Sequence, residues 1–243
     1  MMRTIRAEWL KLRRSPMWPV FLILPVLPAV MGTFNYLGNL GILRQQWYDL
    51  WSQHTIFSAD FFLPAMIGAY CSYLWWLENR NHNWNSAMTA PVPVFCLYFS
   101  KLLFAGAAVA AAQAETGVLF LVSGKLAGVS GQVPPMLLRW LLLGTAAGVA
   151  VCAVQLFLSL VIRSFAVPVG IAFVGGIAGA IALSKGFGLW FPYSLMPMGM
   201  QSGNPSGNFT CGTGPFLLSC VSFLIVFSIA SVLWLKKRDV RSE

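Results

Sequence analysis

Charge is scarce in this sequence: 9% of its 243 residues are Asp, Glu, Lys or Arg, and seven of these are acidic. An ordinary water-soluble domain carries about 25% charge, so a soluble globular chain is excluded from the start. Histidine is limited to His54 and His82, and the five cysteines, Cys71, Cys96, Cys152, Cys211 and Cys220, show no CxxC or other metal-ligand spacing. That pattern indicates neither a zinc site nor a redox pair. No GxxxxGK[ST] phosphate loop occurs, so the chain is expected to hold no cofactor of its own, and any ATP and Mg would be handled by another chain. With His54 in one loop and His82 in another, no Ser/His/Asp or Cys/His set forms within the apolar depth, which argues against an intramembrane enzyme and names no catalytic residue.

What the chain has in abundance is apolar sequence, 58% of the residues. Six runs, residues 17–37, 57–77, 102–122, 140–162, 165–183 and 216–235, each approach the length of about 20 residues that a hydrocarbon core demands. Backbone amides cannot stay unpaired in lipid and the runs are too long for barrel strands, so each is read as a helix. The expected fold class is an all-α polytopic membrane protein, a single transmembrane domain over residues 1–243. Twelve of the sixteen Lys and Arg fall on one set of connecting segments, while Arg44, Lys125, Arg139 and Lys185 fall on the other. The positive-inside rule then places both termini in the cytoplasm.

Residues 1–15 precede the first run. Ile5, Trp9 and Leu12 stand at helical spacing among basic residues, the pattern of an interfacial elbow helix. Pro19, Pro25 and Pro28 interrupt the first run and are expected to kink it. The outer segment 38–56, with Trp47 and Trp51, is expected to lie along the headgroups. The first half of the outer loop 184–214 is too apolar for a solvated loop and reads as a re-entrant or interfacial segment anchored by Trp190, Phe191 and Tyr193.

Glu115 is the acidic residue placed at membrane depth. Two readings stand: an ion pair with Arg139 or Lys125 across the hairpin of the third and fourth runs, or a place on a substrate route. Gln113 and Gln155 read as interhelical hydrogen-bonders. The inner loop 78–94 is polar yet contains Trp84, Met88 and Thr89, as a short amphipathic helix docking a cytoplasmic partner would.

The segments Glu8-Trp-Leu-Lys-Leu-Arg-Arg-Ser15 and Glu78-Asn-Arg-Asn-His-Asn-Trp84, with Pro91, Tyr98, Ser100 and Lys101, carry a resemblance to the six-helix ABC-2 type permeases. Within these the chain resembles the lantibiotic-immunity permeases of the epidermin and mutacin type. The resemblance implies a heteromeric exporter in a bacterial plasma membrane. Two different permease subunits would sit on two copies of an ABC ATPase and expel cationic amphipathic peptides. By the same resemblance Glu78, Asn79, Arg80, Trp84 and Met88, with Glu8 and Trp9 of the elbow, would couple to the ATPase. Glu115, Trp190, Phe191, Tyr193, Trp47 and Trp51 would lie on the substrate path. Rival readings are an ABC-2 permease for a lipid or polysaccharide, and an ion-coupled secondary transporter using Glu115. The second would show internal repeats and several midplane polar residues, and neither is seen.

Overall fold

The computed structural model describes residues 1–13, 15, 17–79, 92–209 and 211–237. The protein is 80% helical, with no strand among the described residues and six helices long and apolar enough to cross a membrane.

Helix α1 (Met2–Leu12) is the short segment ahead of the first span. The span itself is broken into α2 (Met17–Ile23) and α3 (Val26–Gly38). Of the three prolines only Pro25 sits at the break. Pro19 and Pro28 each occupy the third position of a helix, where the backbone N–H has no intrahelical partner and its loss costs little.

Helix α4 (Trp47–Phe57) runs through a π-helical turn (Ser58–Phe62) into α5 (Leu63–Asn79), and the three form one rod of 33 residues. The expectation that segment 38–56 lies along the headgroups is therefore corrected: Trp47 and Trp51 are buried in the bundle. Trp47, Leu50, Trp51, His54, Thr55 and Ser58 are all buried and recur at spacings of three and four, a helical face that Asp49, Gln53 and His54 conceal from a hydropathy average. His54 Nε2 lies 3.0 Å from Thr33 Oγ1 and 3.1 Å from Ser123 Oγ, tying the first span and the third to this rod.

The remaining elements are α6 (Val94–Leu126), α7 (Leu137–Val161), α8 (Ala166–Ser184), two 3₁₀ turns (Gly188–Trp190 and Pro192–Ser194), α9 (Leu195–Gly199) and α10 (Thr213–Lys237). Helix α7 is the hub, packed on α5, α6, α9 and α10, whereas α5 also packs on α8. The spans built on α4–α5 and α7 are 67% and 61% buried against 22% for α8 and α10, so the last two form the periphery. Their outward apolar faces are suited to lipid.

Small residues permit the closest approaches. A Cβ on Gly179 would meet the backbone of Tyr193 and Ser194, and one on Gly175 would meet the Tyr193 ring. The segment after α8 thus folds back against the helix it has just left. Tyr193, Ser194, Leu195 and Met196 are buried there, as a re-entrant segment requires.

Candidate functional site

Four ionisable side chains meet where α1 crosses the C-terminal end of α5 and the N-terminal part of α6. Lys101, on α6, is fully buried. Its ammonium donates to Glu78 Oε1 at 2.8 Å, to both Glu8 oxygens at 3.3 Å and to the Leu74 carbonyl at 3.0 Å. Lys11, on the solvent side, donates to Glu78 Oε1 at 2.6 Å and to Glu8 Oε1 at 3.1 Å. The Trp75 ring centroid lies 5.1 Å from the Lys101 ammonium, within cation–π range. Two carboxylates and two ammoniums balance, and each carboxylate touches both cations.

The physical cause is the placement of charge in apolar sequence. Lys101 enters α6 among Tyr98, Phe99, Leu102 and Leu103, where an unpaired ammonium would be far costlier than a paired one. Glu8 reaches it because α1 presents Glu8 and Leu12, four residues apart, on its inner face, with the more exposed Lys11 at the edge. For Lys11, burial works to lower the pKa, but the Glu8 and then the Glu78 carboxylate outweigh it and hold the group above its ordinary value.

Hydrogen bonds extend the cluster into the bundle. The Trp75 indole donates to the Leu156 carbonyl at 2.9 Å, Ser72 and Ser159 hydroxyls meet at 3.1 Å, and Tyr98 and Ser228 hydroxyls meet at 3.1 Å. Helices α5, α6, α7 and α10 are thereby linked at the end where α1 docks.

Glu8 and Glu78, expected at the surface against a partner, are turned inward to the lysines. A carboxylate between two ammoniums at an apolar boundary gains more from them than from water. Trp9 remains half-exposed and stacks on Phe104 with centroids 6.4 Å apart, and Asn79 is exposed at the end of α5. Arg80, Trp84 and Met88 lie outside the described residues. Lys11 and Lys101 were not foreseen as site residues. The signal was present in the sequence, since a lysine inside an apolar helix start needs an acidic partner, and Glu8 and Glu78 are the acidic residues nearest that end.

At the opposite end the aromatic candidates separate. The Trp51 indole donates to the Met200 carbonyl at 2.8 Å and stacks on Trp140 at 5.1 Å, while Trp47 packs edge-on against Phe120 at 5.3 Å. Tyr193 is buried, its hydroxyl accepting from Gln155 Nε2 at 2.6 Å. Gln113 Nε2 lies 3.4 Å from Met200 Sδ, so both glutamines do bond across elements. Phe191 is half-buried, and Trp190 is 82% exposed at the bundle surface.

Glu115 is half-buried and has no ion-pair partner among the described residues. Arg139 is engaged elsewhere, donating to Thr213 Oγ1 at 2.9 Å and lying 5.5 Å over the Phe209 ring. The expected Glu115–Arg139 pair is therefore corrected: Arg139 fastens the start of α7 to the segment leading into α10. With Glu115 short of full burial, a distant cation offers it little.

No curated protein sequence matches the chain, and no solved structure does. One family does match: that of the ABC-2 family transporter protein, over residues 4–179. The matched stretch is well over half of the chain and contains all four residues of the ion cluster. Members of this family are multi-pass membrane components of transporters without nucleotide-binding domains, and membership implies association with an ABC ATPase subunit. A chain with six helices long and apolar enough to span a membrane, matched over that length, belongs to the ABC-2 family of transporter proteins.

Proposed function

We propose that the chain is the membrane-spanning permease subunit of an ATP-driven exporter that removes cationic amphipathic peptides of the lantibiotic class from a bacterial plasma membrane. The observation that carries the ATP-driven part is the ion cluster. It joins the elbow to both helices that flank residues 80–91, the connector read from the sequence as the coupling segment. A force applied to that connector by a partner reaches Glu78 at the end of α5 and Lys101 near the start of α6, and the cluster passes it to α1. Glu8 and Glu78 serve as positioning residues, while Trp9, Asn79, Arg80, Trp84 and Met88 form the contact surface.

The cargo reading rests on the resemblance of the elbow and connector motifs to lantibiotic-immunity permeases. It is supported by the aromatic surface around Trp190 and Phe191. Amphipathic peptides enter a bilayer by apolar area and positive charge, so an extruder offers them aromatic surface near the interface rather than a polar tunnel. On this reading both termini are cytoplasmic, two ATPase copies bind below, and a second, similar permease completes the pair.

Purification of the chain from native membranes should yield an ABC ATPase and a second permease. Cells holding that complex should survive a cationic lantibiotic that kills cells in which the ATPase is inactivated. Isolation without an ATPase would overturn the coupling reading. Unchanged sensitivity to the peptide, together with altered lipid or polysaccharide export, would move the cargo to those classes.

A further inference from the structure

Helix α1 sends its acid inward and its arginines outward. Glu8 is the one carboxylate in the helix, and the ion cluster takes it: Glu8 is 1% exposed and bound to Lys101 and Lys11. Met2, Arg6, Leu10 and Arg13, the residue that caps the helix, stand at spacings of four, four and three, which places them on one stripe. All four are exposed, Met2 at 85% and Leu10 at 50%. Among the described residues neither Arg6 nor Arg13 has an ion-pair partner. The stripe thus interleaves apolar side chains with cations, and the acid that could have neutralised it is held on the far side of the helix by Lys101.

The depth of α1 says what meets that stripe. Helix α6 starts at Val94, yet α1 touches it at Lys101, through Glu8, and at Phe104, through the stacked Trp9. The stretch of helix from Val94 to Lys101 is roughly 10 Å long. The apolar run of this span begins at residue 102, so α1 lies level with the edge of the hydrocarbon, set back from the helix tip that a water-soluble partner would meet first. The C-terminal end of α1 is held at the start of the first span: Leu12 is buried, and Ser15 Oγ accepts from the Met17 N–H at 3.1 Å. Beside Phe104, Leu103 is 51% exposed, so the face of α6 next to α1 is suited to acyl chains.

We propose that the Met2, Arg6, Leu10 and Arg13 stripe is a binding surface for anionic phospholipid: each guanidinium pairs with a headgroup phosphate, and Met2 and Leu10 enter among the upper acyl carbons. A guanidinium presents its donors in a fork that matches phosphate oxygens. A helix with a basic and apolar face at the interface binds through buried apolar area together with attraction to anionic lipid. A zwitterionic headgroup would accommodate Met2 and Leu10 equally well, but its phosphate is already neutralised by its own ammonium and offers the arginines less. The surface does not depend on the exporter reading; it adds a dependence on lipid charge at the end of the bundle that carries the ion cluster.

The test places the full chain in phosphatidylcholine nanodiscs holding traces of two acyl-chain diazirine lipids, one phosphatidylglycerol and one phosphatidylcholine, and maps adducts by mass spectrometry. Labelling of α1 is referenced to α8, which is apolar and contains no charged residue. Phosphatidylglycerol should label α1 in preference to phosphatidylcholine. Arg6→Gln and Arg13→Gln should each lower that preference about fivefold, the factor that one cation near an anionic surface supports. The double variant should remove it. Both side chains are exposed, so the variants are expected to fold, and a readout that needs no variant is the loss of preference in the unaltered chain as salt is raised from about 0.05 to about 0.5 M. Equal labelling of α1 by the two lipids, or a preference that survives the double variant, overturns the surface. Disappearance of α1 adducts when the chain is reconstituted as the complex purified from native membranes would give the stripe to a protein partner and overturns it as well.

Discussion

Glu78 and Asp60 stand on one continuous helical rod, and both are buried, yet their surroundings are opposite. Glu78 accepts from two lysines and shares them with Glu8, whereas Asp60 has no partner among the described residues. Eighteen residues separate them, roughly 27 Å along a helix, so they occupy different depths of the same rod. A compensated charge in an apolar setting holds elements in register, and removing one member strands the rest. An uncompensated charge does no such holding and is costly at membrane depth. The rod therefore carries a fixed joint at the end where α1 docks and an unpartnered carboxylate nearer its middle.

The largest expected effect breaks the fixed joint. Lys101→Met keeps length and apolar bulk but leaves Glu8 and Glu78 with Lys11 alone, and should cost about 3–5 kcal/mol. The readout is folded yield and thermal stability in detergent. Glu78→Gln in the same chain should recover part of the loss, because a stranded charge is removed. Lys101→Met with wild-type stability would show that the cluster holds nothing.

A smaller effect tests the packing behind Asp60. Gly176→Ala would drive a methyl group into the Asp60 backbone, which no rotamer change relieves, and should cost about 1–3 kcal/mol through overpacking. Gly170→Ala on the same helix has open space around it and should be neutral or slightly stabilising by helix propensity. Equal effects of the two would mean α8 does not press on the π-helical turn.

Lys11 offers a milder probe of the joint, because its side chain is 36% exposed and solvent screens it. Lys11→Met should cost no more than about 1 kcal/mol. With its pKa raised in the folded state, the stabilisation from Lys11 is fully present below the ordinary lysine range and fades only as pH rises through the folded value. Stability of the unaltered chain and of Lys11→Met should therefore differ by a constant amount between roughly pH 6 and 9. A difference that grows across that window would place another titrating group in the cluster.

The sequence made the bundle legible because lipid leaves so few options: six apolar runs, no strands, and a basic amphipathic start. The joint at α1 was half legible. Glu8 and Glu78 were singled out, but as surface contacts, since a sequence shows that a carboxylate is near a boundary and not which way it turns. Lys101 completes the site from a residue that looked like an orientation signal. Trp47 and Trp51 misled for a related reason: an outer aromatic reads as a headgroup anchor, and only the burial of Trp47, Leu50, Trp51 and His54 along one face shows a helix joining the core. The packing around Asp60 was invisible, because it arises where a π-helical turn and α8 meet from separate stretches of sequence.

The smallest expected effect concerns Glu115, the acidic residue intermediate between the two poles. It is neither sealed like Asp60 nor bound like Glu78, and its expected partner Arg139 is occupied by Thr213 and the Phe209 ring. A half-exposed carboxylate keeps much of its access to water or headgroups, so neutralising it changes little. Glu115→Gln should shift stability by no more than about 0.5 kcal/mol, the range of ordinary surface substitutions. Arg139→Gln should cost more, since it releases the start of α7 from the segment before α10. The double variant should equal the sum of the two within about 0.5 kcal/mol, as for sites that share no partner. A thermal-stability cycle on the four proteins measures this directly. Rescue of Arg139→Gln by Glu115→Gln would restore the ion pair across the α6–α7 hairpin and make Glu115 a second fixed joint.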